Sequence, residues 1–152
     1  MIEVRRGRRL ARFVETLSEE ARESLLDHPD AVVASGAMLK DGDRSTVVRI
    51  EIDQRPCVLK RFNPKGAVHT ATHLVMRSRA AWCVRNAQRV LAAGLRTPAP
   101  IAMIEERLGP LRLRSFLLTE FTEGPTLLDA IAHATAAERD ELIDRLVEVC
   151  HA

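Results

Sequence analysis

Lys60 is the residue of this sequence whose type and position best suit chemistry. It ends the apolar run Val58-Leu59-Lys60, and it is one of only three lysines among 23 basic residues. A lysine ammonium acts as a compact point charge toward phosphate, whereas arginine stays charged in every environment. A strand-edge lysine whose stem covers apolar surface has the same sequence pattern. Lys60 is therefore a candidate phosphate-binding residue, with a purely structural edge position as the alternative.

A turn with a single glycine, Gly42, lies ahead of Lys60 between two predicted strands. Backbone N–H groups in a tight glycine loop can approach phosphate oxygens. The turn has the sequence Lys-Asp-Gly-Asp-Arg-Ser over residues 40–45, which is not a G-x-G-x-x-G pattern, and its two aspartates repel phosphate. A hairpin glycine is the alternative interpretation of Gly42.

The cysteines, histidines and aromatic residues form no pattern of their own. The three cysteines are far apart without a C-x-x-C pair, which indicates free thiols in a reducing cytoplasm. The histidines lack metal-ligand spacing, and His69 and His73 are better explained as a solvated helix start, so no metal site is predicted. Only 3% of the residues are aromatic, none is tyrosine, and the net charge is +2, so nucleic acid is not an expected partner.

The elements that must position these residues indicate one α+β domain of 152 residues, 46% of them hydrophobic. No apolar run is long enough to span a membrane, and the start lacks the apolar region of a secretory signal. Apolar periodicity and turn residues predict helices over 3–27, 76–93, 127–132 and 136–150, and strands over 31–39, 45–52, 57–62, 101–106 and 114–121. Cys83 and Ala87 are predicted to face inward from the second helix, and Thr135 and Glu138 to form a capping box.

The order of the predicted elements is three strands, a helix, two strands, a short link and further helices. This order resembles the small lobe of a protein-kinase-like fold. Within that fold, several stretches resemble the lipopolysaccharide kinases, the Kdo and core-heptose kinase group. These stretches are VLKRF over 58–62, SRA over 78–80, RNA over 85–87, LAAGLRTPAP over 91–100 and SFLLTE over 115–120. The resemblance covers about residues 38–132, and the A-G-L-R-T-P-A-P segment is its most specific part.

The resemblance implies an α+β architecture in three parts. Residues 31–122 would form a kinase-like small lobe, a five-stranded antiparallel sheet with one packed helix. A helical, basic extension would precede it over residues 1–30, and the hinge and the first helices of an incomplete second lobe would follow over 123–152.

The resemblance also implies a function, the ATP-binding lobe of a kinase that phosphorylates a sugar of the lipopolysaccharide core. ATP and Mg²⁺ would be the cofactors, a glycolipid or sugar the acceptor, and the cytoplasm, peripheral to the inner membrane, the location. Lys60 would pair with the α- and β-phosphates. The other implied site residues are Gly42, Ser45 and Thr46 at the phosphate loop, Val47 and Val58 above the adenine, and Glu120, Phe121 and Thr122 in the hinge.

The sequence departs from the kinase pattern at two places. No acidic residue occurs from residue 63 to 104, and the helix position that should carry a glutamate facing Lys60 falls near Cys83. The His-x-Asp and Asp-Phe-Gly motifs would follow residue 152, so the base and the Mg²⁺ ligands are not expected in this chain. We therefore expect a fragment that is inactive alone, with a non-catalytic kinase-like scaffold or regulatory module as the alternative.

The basic excess of the chain lies at its N-terminus, where residues 1–14 carry a net charge of +4. Arginines near an anionic membrane contribute about 1 kcal/mol each to surface binding. A contact with an anionic membrane through this segment is one hypothesis, and a merely solvated charged face is the other. The arginines concerned are Arg5, Arg6, Arg8, Arg9 and Arg12.

Overall fold

The structure, a computed structural model, describes residues 1–63, 78–109, 111–124 and 127–151. The described elements alternate between strands and helices along the chain. In order they are β1 (Ile2–Arg6), β2 (Arg9–Phe13), α1 (Glu19–Asp27), α2 (Pro29–Ser35), β3 (Ala37–Lys40), β4 (Ser45–Ile52), β5 (Arg55–Phe62), α3 (Arg79–Ala92), β6 (Pro100–Leu108), β7 (Leu111–Glu120), α4 (Leu127–His133) and α5 (Ala136–His151).

One antiparallel sheet organises the described residues, with the strand order β1-β2-β6-β7-β5-β4-β3. The α+β class is confirmed, but the sheet has seven strands where the sequence predicted five. The five predicted strands lie next to one another as β3-β4-β5-β7-β6, and the hairpin β1–β2 adds two strands beyond β6.

The prediction of helical structure over residues 3–27 is wrong in its first half. Residues 2–13 form a hairpin in which Arg6 pairs with Arg9 across a two-residue turn. Gly7 adopts a φ of 57° in that turn, which a residue with a Cβ rarely adopts. Strand β2 then pairs with the edge of β6 from Arg9 to Phe13, so the sheet supplies the backbone hydrogen bonds that a helix would have supplied internally.

The strand predicted over residues 31–39 is a helix followed by a strand. Pro29 stands at the first position of α2, where its fixed φ suits a helix and its missing N–H costs nothing. The chain becomes extended at Gly36, and β3 then pairs with β4. The predicted strand is therefore divided, because the run Ala-Val-Val-Ala over residues 31–34 lies within α2, which packs on the sheet, while residues 37–40 join the edge.

Each face of the sheet carries a buried cluster, and the two clusters pack against different helices. Helices α1 and α2 cover the first face, whose core residues include Phe13, Leu25, Val48, Leu59 and Phe116. Helix α3 covers the second face in a smaller cluster, formed by Phe62, Ala80, Val84, Met103 and Leu117. Burial of α1 and α2 in the main core places the N-terminal residues within the same packed unit as the strands that carry the candidate site.

The remaining predicted elements are confirmed with small shifts at their ends. Helix α3 begins after Ser78, whose side chain accepts a hydrogen bond from the N–H of Ala81; residues 76 and 77 of the prediction lie outside the described residues. At α5, the Thr135 N–H donates to Glu138 Oε2 at 2.8 Å, and Glu138 N donates back to Thr135 Oγ1 at 3.4 Å. This reciprocal pair is the predicted capping box.

Candidate functional site

The candidate site is the part of the second sheet face that β4, β5 and β7 form beside α3. Side chains alternate between the faces of a strand, and Val48, Leu59 and Leu118 point into the first core. The intervening residues therefore share the second face. Of these, Val47 pairs with Lys60 and Arg49 with Val58 across β4 and β5, and Val58 pairs with Thr119 across β5 and β7. We call this surface the Lys60 face; it comprises Val47, Arg49, Val58, Lys60 and Thr119.

Lys60 is half-buried on this face, beside α3. Its Nζ lies 5.1 Å from the centre of the Phe62 ring, within the range of a cation–π interaction. Among the described residues no carboxylate forms an ion pair with this ammonium. A half-buried cation with no anionic partner is suited to an anionic ligand.

Cys83 is the α3 residue near Lys60. It occupies the helix position where the resemblance to the kinases implies a glutamate. Burial raises the pKa of the Cys83 thiol, and the nearby charges of Lys60 and Arg79 lower it by a smaller amount. The thiol is therefore neutral near pH 7 and does not balance the lysine. Cys57 is a buried free thiol in the first core.

The turn between β3 and β4 is held on both sides by hydrogen bonds. Ser45 N donates to the Gly42 carbonyl at 3.1 Å, and Asn63 N donates to the Arg44 carbonyl at 3.1 Å. Gly42 itself needs no positive φ, and a Cβ at this position would meet only the Ser45 carbonyl oxygen at 3.8 Å. The turn is thereby fixed to the end of β5, close in sequence to Lys60.

Two of the predicted loop residues point to opposite faces of the sheet. Ser45 shares the alternation of Val47 and lies on the side of the Lys60 face. Thr46 is buried on the first face, where its hydroxyl donates to Asp41 Oδ1 and accepts from Arg61 Nη2, both at 3.1 Å. The structure therefore does not bring the Thr46 side chain together with Lys60.

The predicted hinge residues follow directly from β7. The Glu120 N–H donates to the Ala99 carbonyl at 3.0 Å, and the Phe121 N–H donates to the Pro56 carbonyl at 3.2 Å. Proline has no N–H, so Pro56 cannot return the second hydrogen bond of this antiparallel pair. Among the described residues no backbone N–H donates to the Phe121 carbonyl, which makes this carbonyl a candidate acceptor at the hinge. Thr122 is exposed beside it.

Sequence reasoning missed Arg49, which bridges the Lys60 face and the hinge. Its guanidinium carbon lies 4.3 Å from the centre of the Phe121 ring. Such a stack stabilises the pair by about 0.5–1 kcal/mol at an exposed site. The alternation of β4 would have placed Arg49 on the face of Val47, but its contact with Phe121 depends on the end of β7, about 70 residues later in the chain.

Sequence reasoning also missed Glu105, a carboxylate buried on β6 that is 2% exposed. It accepts hydrogen bonds from Ser78 and Arg107. Burial raises the pKa of Glu105, but the hydrogen bonds from Ser78 and Arg107 and the charges of Arg107 and Arg112 lower it by more, so that the pKa lies below its ordinary 4.5. Because Ser78 also caps α3, Glu105 attaches the start of this helix to the sheet.

The Glu105 carboxylate is expected to stabilise the fold at neutral pH and to lose that effect in acid. Its pKa is lower in the folded than in the unfolded protein, so the stabilisation is complete above the unfolded value near 4.5 and disappears as the pH falls through the lower folded value. Chemical denaturation from pH 7 to pH 3 should show Glu105→Gln less stable than the parent at pH 7, with the difference narrowing below about pH 4.5. The exposed Glu51→Gln is the matched control, and a difference that stays constant down to pH 3 would contradict the role of the charge.

On the opposite face, ion pairs connect the N-terminal helices to the strands of the site. Each partner comes from a different element, so the chain of contacts crosses the sheet from β2 to the β3–β4 turn. The contacts are Arg9–Glu106 at 3.1 Å, Glu106–Arg114 at 3.3 Å, Arg114–Asp30 at 2.7 Å and Asp30–Arg61 at 3.0 Å, followed by the Arg61–Thr46–Asp41 hydrogen bonds described above. This network orients α2 and the turn relative to the strands that carry Lys60.

No group of three or more histidine, cysteine, aspartate or glutamate residues that could hold a metal ion is found in the part of the chain that the structure describes. His69 and His73 lie outside that part. A pocket of about 340 Å³ lies between α4 and α5, away from the Lys60 face, and His133, Glu138 and Arg145 are among its lining residues.

Comparison with known proteins gives one distant structural similarity. No protein-family model and no curated protein match this chain. It is similar to a solved structure titled "WaaP in complex with acyl carrier protein", with 25% sequence identity and a TM-score of 0.46. The match covers 72% of this chain and 41% of the other, so the chain spans less than half the length of that protein.

Proposed function

We propose that the Lys60 face binds ATP, as the nucleotide-binding lobe of a kinase that phosphorylates a sugar of the lipopolysaccharide core. The observation that carries this proposal is the position of Lys60, a half-buried cation without an acidic partner among the described residues. It shares one sheet face with the apolar Val47 and Val58, and that face ends at a hinge.

These residues are suited to the parts of a nucleotide. The half-buried Val47 and Val58 offer apolar surface to a planar base, and the Phe121 carbonyl can accept a hydrogen bond from an exocyclic amine. Lys60 would then lie toward the phosphates, with Gly42 and Ser45 at the nearby turn. Arg49, stacked on Phe121, closes the side of the surface nearest the hinge.

The described residues do not provide a site for Mg²⁺ or a group that could catalyse phosphoryl transfer. The described residues offer no cluster of ligands for the metal, and the two aspartates of the turn, Asp41 and Asp43, belong to a loop bonded to Thr46 and Asn63. We therefore propose nucleotide binding alone for the Lys60 face, and derive no phosphoryl-transfer step from the described residues.

Replacing Lys60 with methionine is expected to weaken ATP binding by about 10- to 100-fold. The change keeps the apolar stem that covers the strand and removes the ammonium, and a hydrogen bond to a charged group contributes about 1.5–3 kcal/mol. Calorimetric titration of parent and variant with Mg·ATP measures the effect, and circular dichroism checks that the fold is retained. Lys40→Met is the matched control, because Lys40 is an exposed lysine at the end of β3 and the substitution is the same.

Two results would overturn the assignment of Lys60. One is equal ATP affinity of the parent and Lys60→Met. The other is a larger loss in Lys40→Met, which would move the phosphate contact to the other end of the turn.

A second candidate function, a kinase-like scaffold that does not bind nucleotide, is favoured by two observations. A neutral thiol stands near Lys60 where a carboxylate would fix the ammonium, and the turn carries two acidic residues. If the titration of the parent with Mg·ATP gives no heat and no change in thermal stability, the scaffold becomes the better explanation.

A further inference from the structure

The face of α3 that points away from the sheet carries a basic and aromatic stripe. It consists of Arg79, Trp82, Arg85 and Arg89, all exposed, and we call it the α3 outer face. Trp82 is 61% exposed, although large aromatic side chains are usually among the more buried. An exposed tryptophan among arginines indicates a contact surface.

The helix geometry places these residues together. Successive residues of an α-helix are separated by about 100°, so Trp82, Arg85 and Arg89 lie within about 60° of one another. Ala80 and Val84, which are buried against the sheet, lie on the opposite side. From Arg79 to Arg89 the stripe extends about 15 Å along the axis.

The arginines of the α3 outer face have no partners in the part of the chain that the structure describes. Among the described residues none of the three donates a hydrogen bond or forms an ion pair, and no acidic residue occurs in the sequence from residue 63 to 104. The N-terminal arginines differ, because Arg6 pairs with Asp27, Arg9 with Glu106 and Arg12 with Glu3. The uncompensated positive charge of the fold therefore lies on α3 more than on the N-terminal hairpin.

We propose that the α3 outer face binds an anionic phospholipid surface. Tryptophan rings prefer the headgroup region of a bilayer, and arginines near an anionic leaflet add electrostatic attraction. An amphipathic helix with its apolar side packed on the protein presents these groups parallel to the membrane plane. No described helix has the length and apolar character to cross a bilayer, so the contact is one of attachment to the surface.

The composition of the stripe favours lipid over other anionic partners. Binding of single-stranded nucleic acid uses several aromatic platforms, whereas this surface holds one aromatic ring. An acidic protein partner would normally meet an apolar centre surrounded by polar residues, but here the charges run along one line with the single ring among them. A line of cations beside one interfacial ring suits a plane of headgroups.

This inference deepens the proposed function, because a glycolipid acceptor lies in a membrane that the kinase must reach. Its test needs no nucleotide. Trp82 is the only tryptophan of the chain and tyrosine is absent, so intrinsic fluorescence reports on the proposed surface alone. Vesicles of phosphatidylcholine with about one third phosphatidylglycerol should shift the Trp82 emission to shorter wavelength and protect it from acrylamide quenching, whereas pure phosphatidylcholine should do neither.

Two double variants that remove the same charge distinguish binding through the α3 outer face from attraction by net charge alone. Arg85→Gln with Arg89→Gln is expected to lower the vesicle partition coefficient about thirtyfold, measured by cosedimentation. Arg5→Gln with Arg8→Gln removes the same charge from two exposed N-terminal arginines without ion pairs in the described part, and should lower it less than about threefold. All four substituted arginines are exposed, so both double variants should keep the parent's melting temperature.

Three results would overturn the proposal. The first is an equal loss of vesicle binding in both double variants, and the second is an unchanged Trp82 spectrum with anionic vesicles. The third is a spectral shift with polyglutamate or duplex DNA but not with vesicles, which would assign the face to an acidic protein or to nucleic acid. None of these results bears on ATP binding, which Lys60→Met tests separately.

Discussion

Ala80→Asp is expected to leave the protein largely unfolded at 25 °C. Ala80 is completely buried in the second cluster, between α3 and the sheet residues Phe62, Met103 and Leu117. An uncompensated carboxylate at such a position costs several kcal/mol, or else takes up a proton at a similar cost. The total free energy of unfolding of a domain of this size is about 5–15 kcal/mol.

A matched substitution on the same helix separates burial from helix propensity. Gln88→Asp introduces the same side chain at an exposed position of α3, and it should cost only about 0.5–1 kcal/mol. Urea denaturation followed by circular dichroism measures both variants. If Ala80→Asp is no less stable than Gln88→Asp, the packing of α3 on the Lys60 side of the sheet is wrong, and so is the position of Cys83 near Lys60.

Gly36→Ala is expected to destabilise the protein by about 2–3 kcal/mol. A Cβ at position 36 would lie 2.7 Å from Ile50 Cγ2 and 2.8 Å from Val48 Cβ. Val48 Cβ is bonded directly to the backbone in the middle of β4. A side-chain rotation therefore cannot move it, and the backbone must move instead. The requirement for glycine is one of space, because its φ of −80° is open to any residue.

Gly42→Ala is the control, since the added methyl group there would have ordinary contacts only. It should change the free energy of unfolding by less than about 0.5 kcal/mol. The pair is compared by thermal and urea denaturation under identical conditions. A stability of Gly36→Ala equal to that of Gly42→Ala would show that α2 and β3 do not pack on β4 as described. Because Gly42→Ala keeps the fold, its ATP affinity can be measured directly to test the proposed phosphate loop.

The elements with strong local patterns were predictable from the sequence. Strand β4 alternates with β-branched residues, and its predicted bounds of 45–52 match the structure. Helix α3 has good helix formers without an internal glycine or proline, and α5 has its capping box. In these segments the hydrogen bonds and side-chain preferences of neighbouring residues favour one conformation.

The first 40 residues show where local patterns fail. The spacing of Leu10, Phe13, Val14 and Leu17 suits a helix, but a strand was equally open to residues 9–13 once the edge of β6 offered hydrogen bonds. Gly7 is a local signal for the hairpin turn, but apolar periodicity alone does not register it. A partner strand about 90 residues later in the chain decided the outcome.

The sequence by itself determined that Lys60 ends the apolar run of residues 58–60, that Val47 and Val58 alternate with core residues, and that no acid occurs between residues 63 and 104. These facts follow from residue type and from the two-residue period of a strand. The resemblance described above placed Cys83 at the helix position that faces Lys60. Only the tertiary structure decided that burial on α3 raises the pKa of the Cys83 thiol, that Arg49 stacks on Phe121, and that Pro56 cannot donate to the Phe121 carbonyl. Each of these contacts joins segments more than 20 residues apart, and their meeting depends on the strand order and on the packing of α3, which no local pattern encodes.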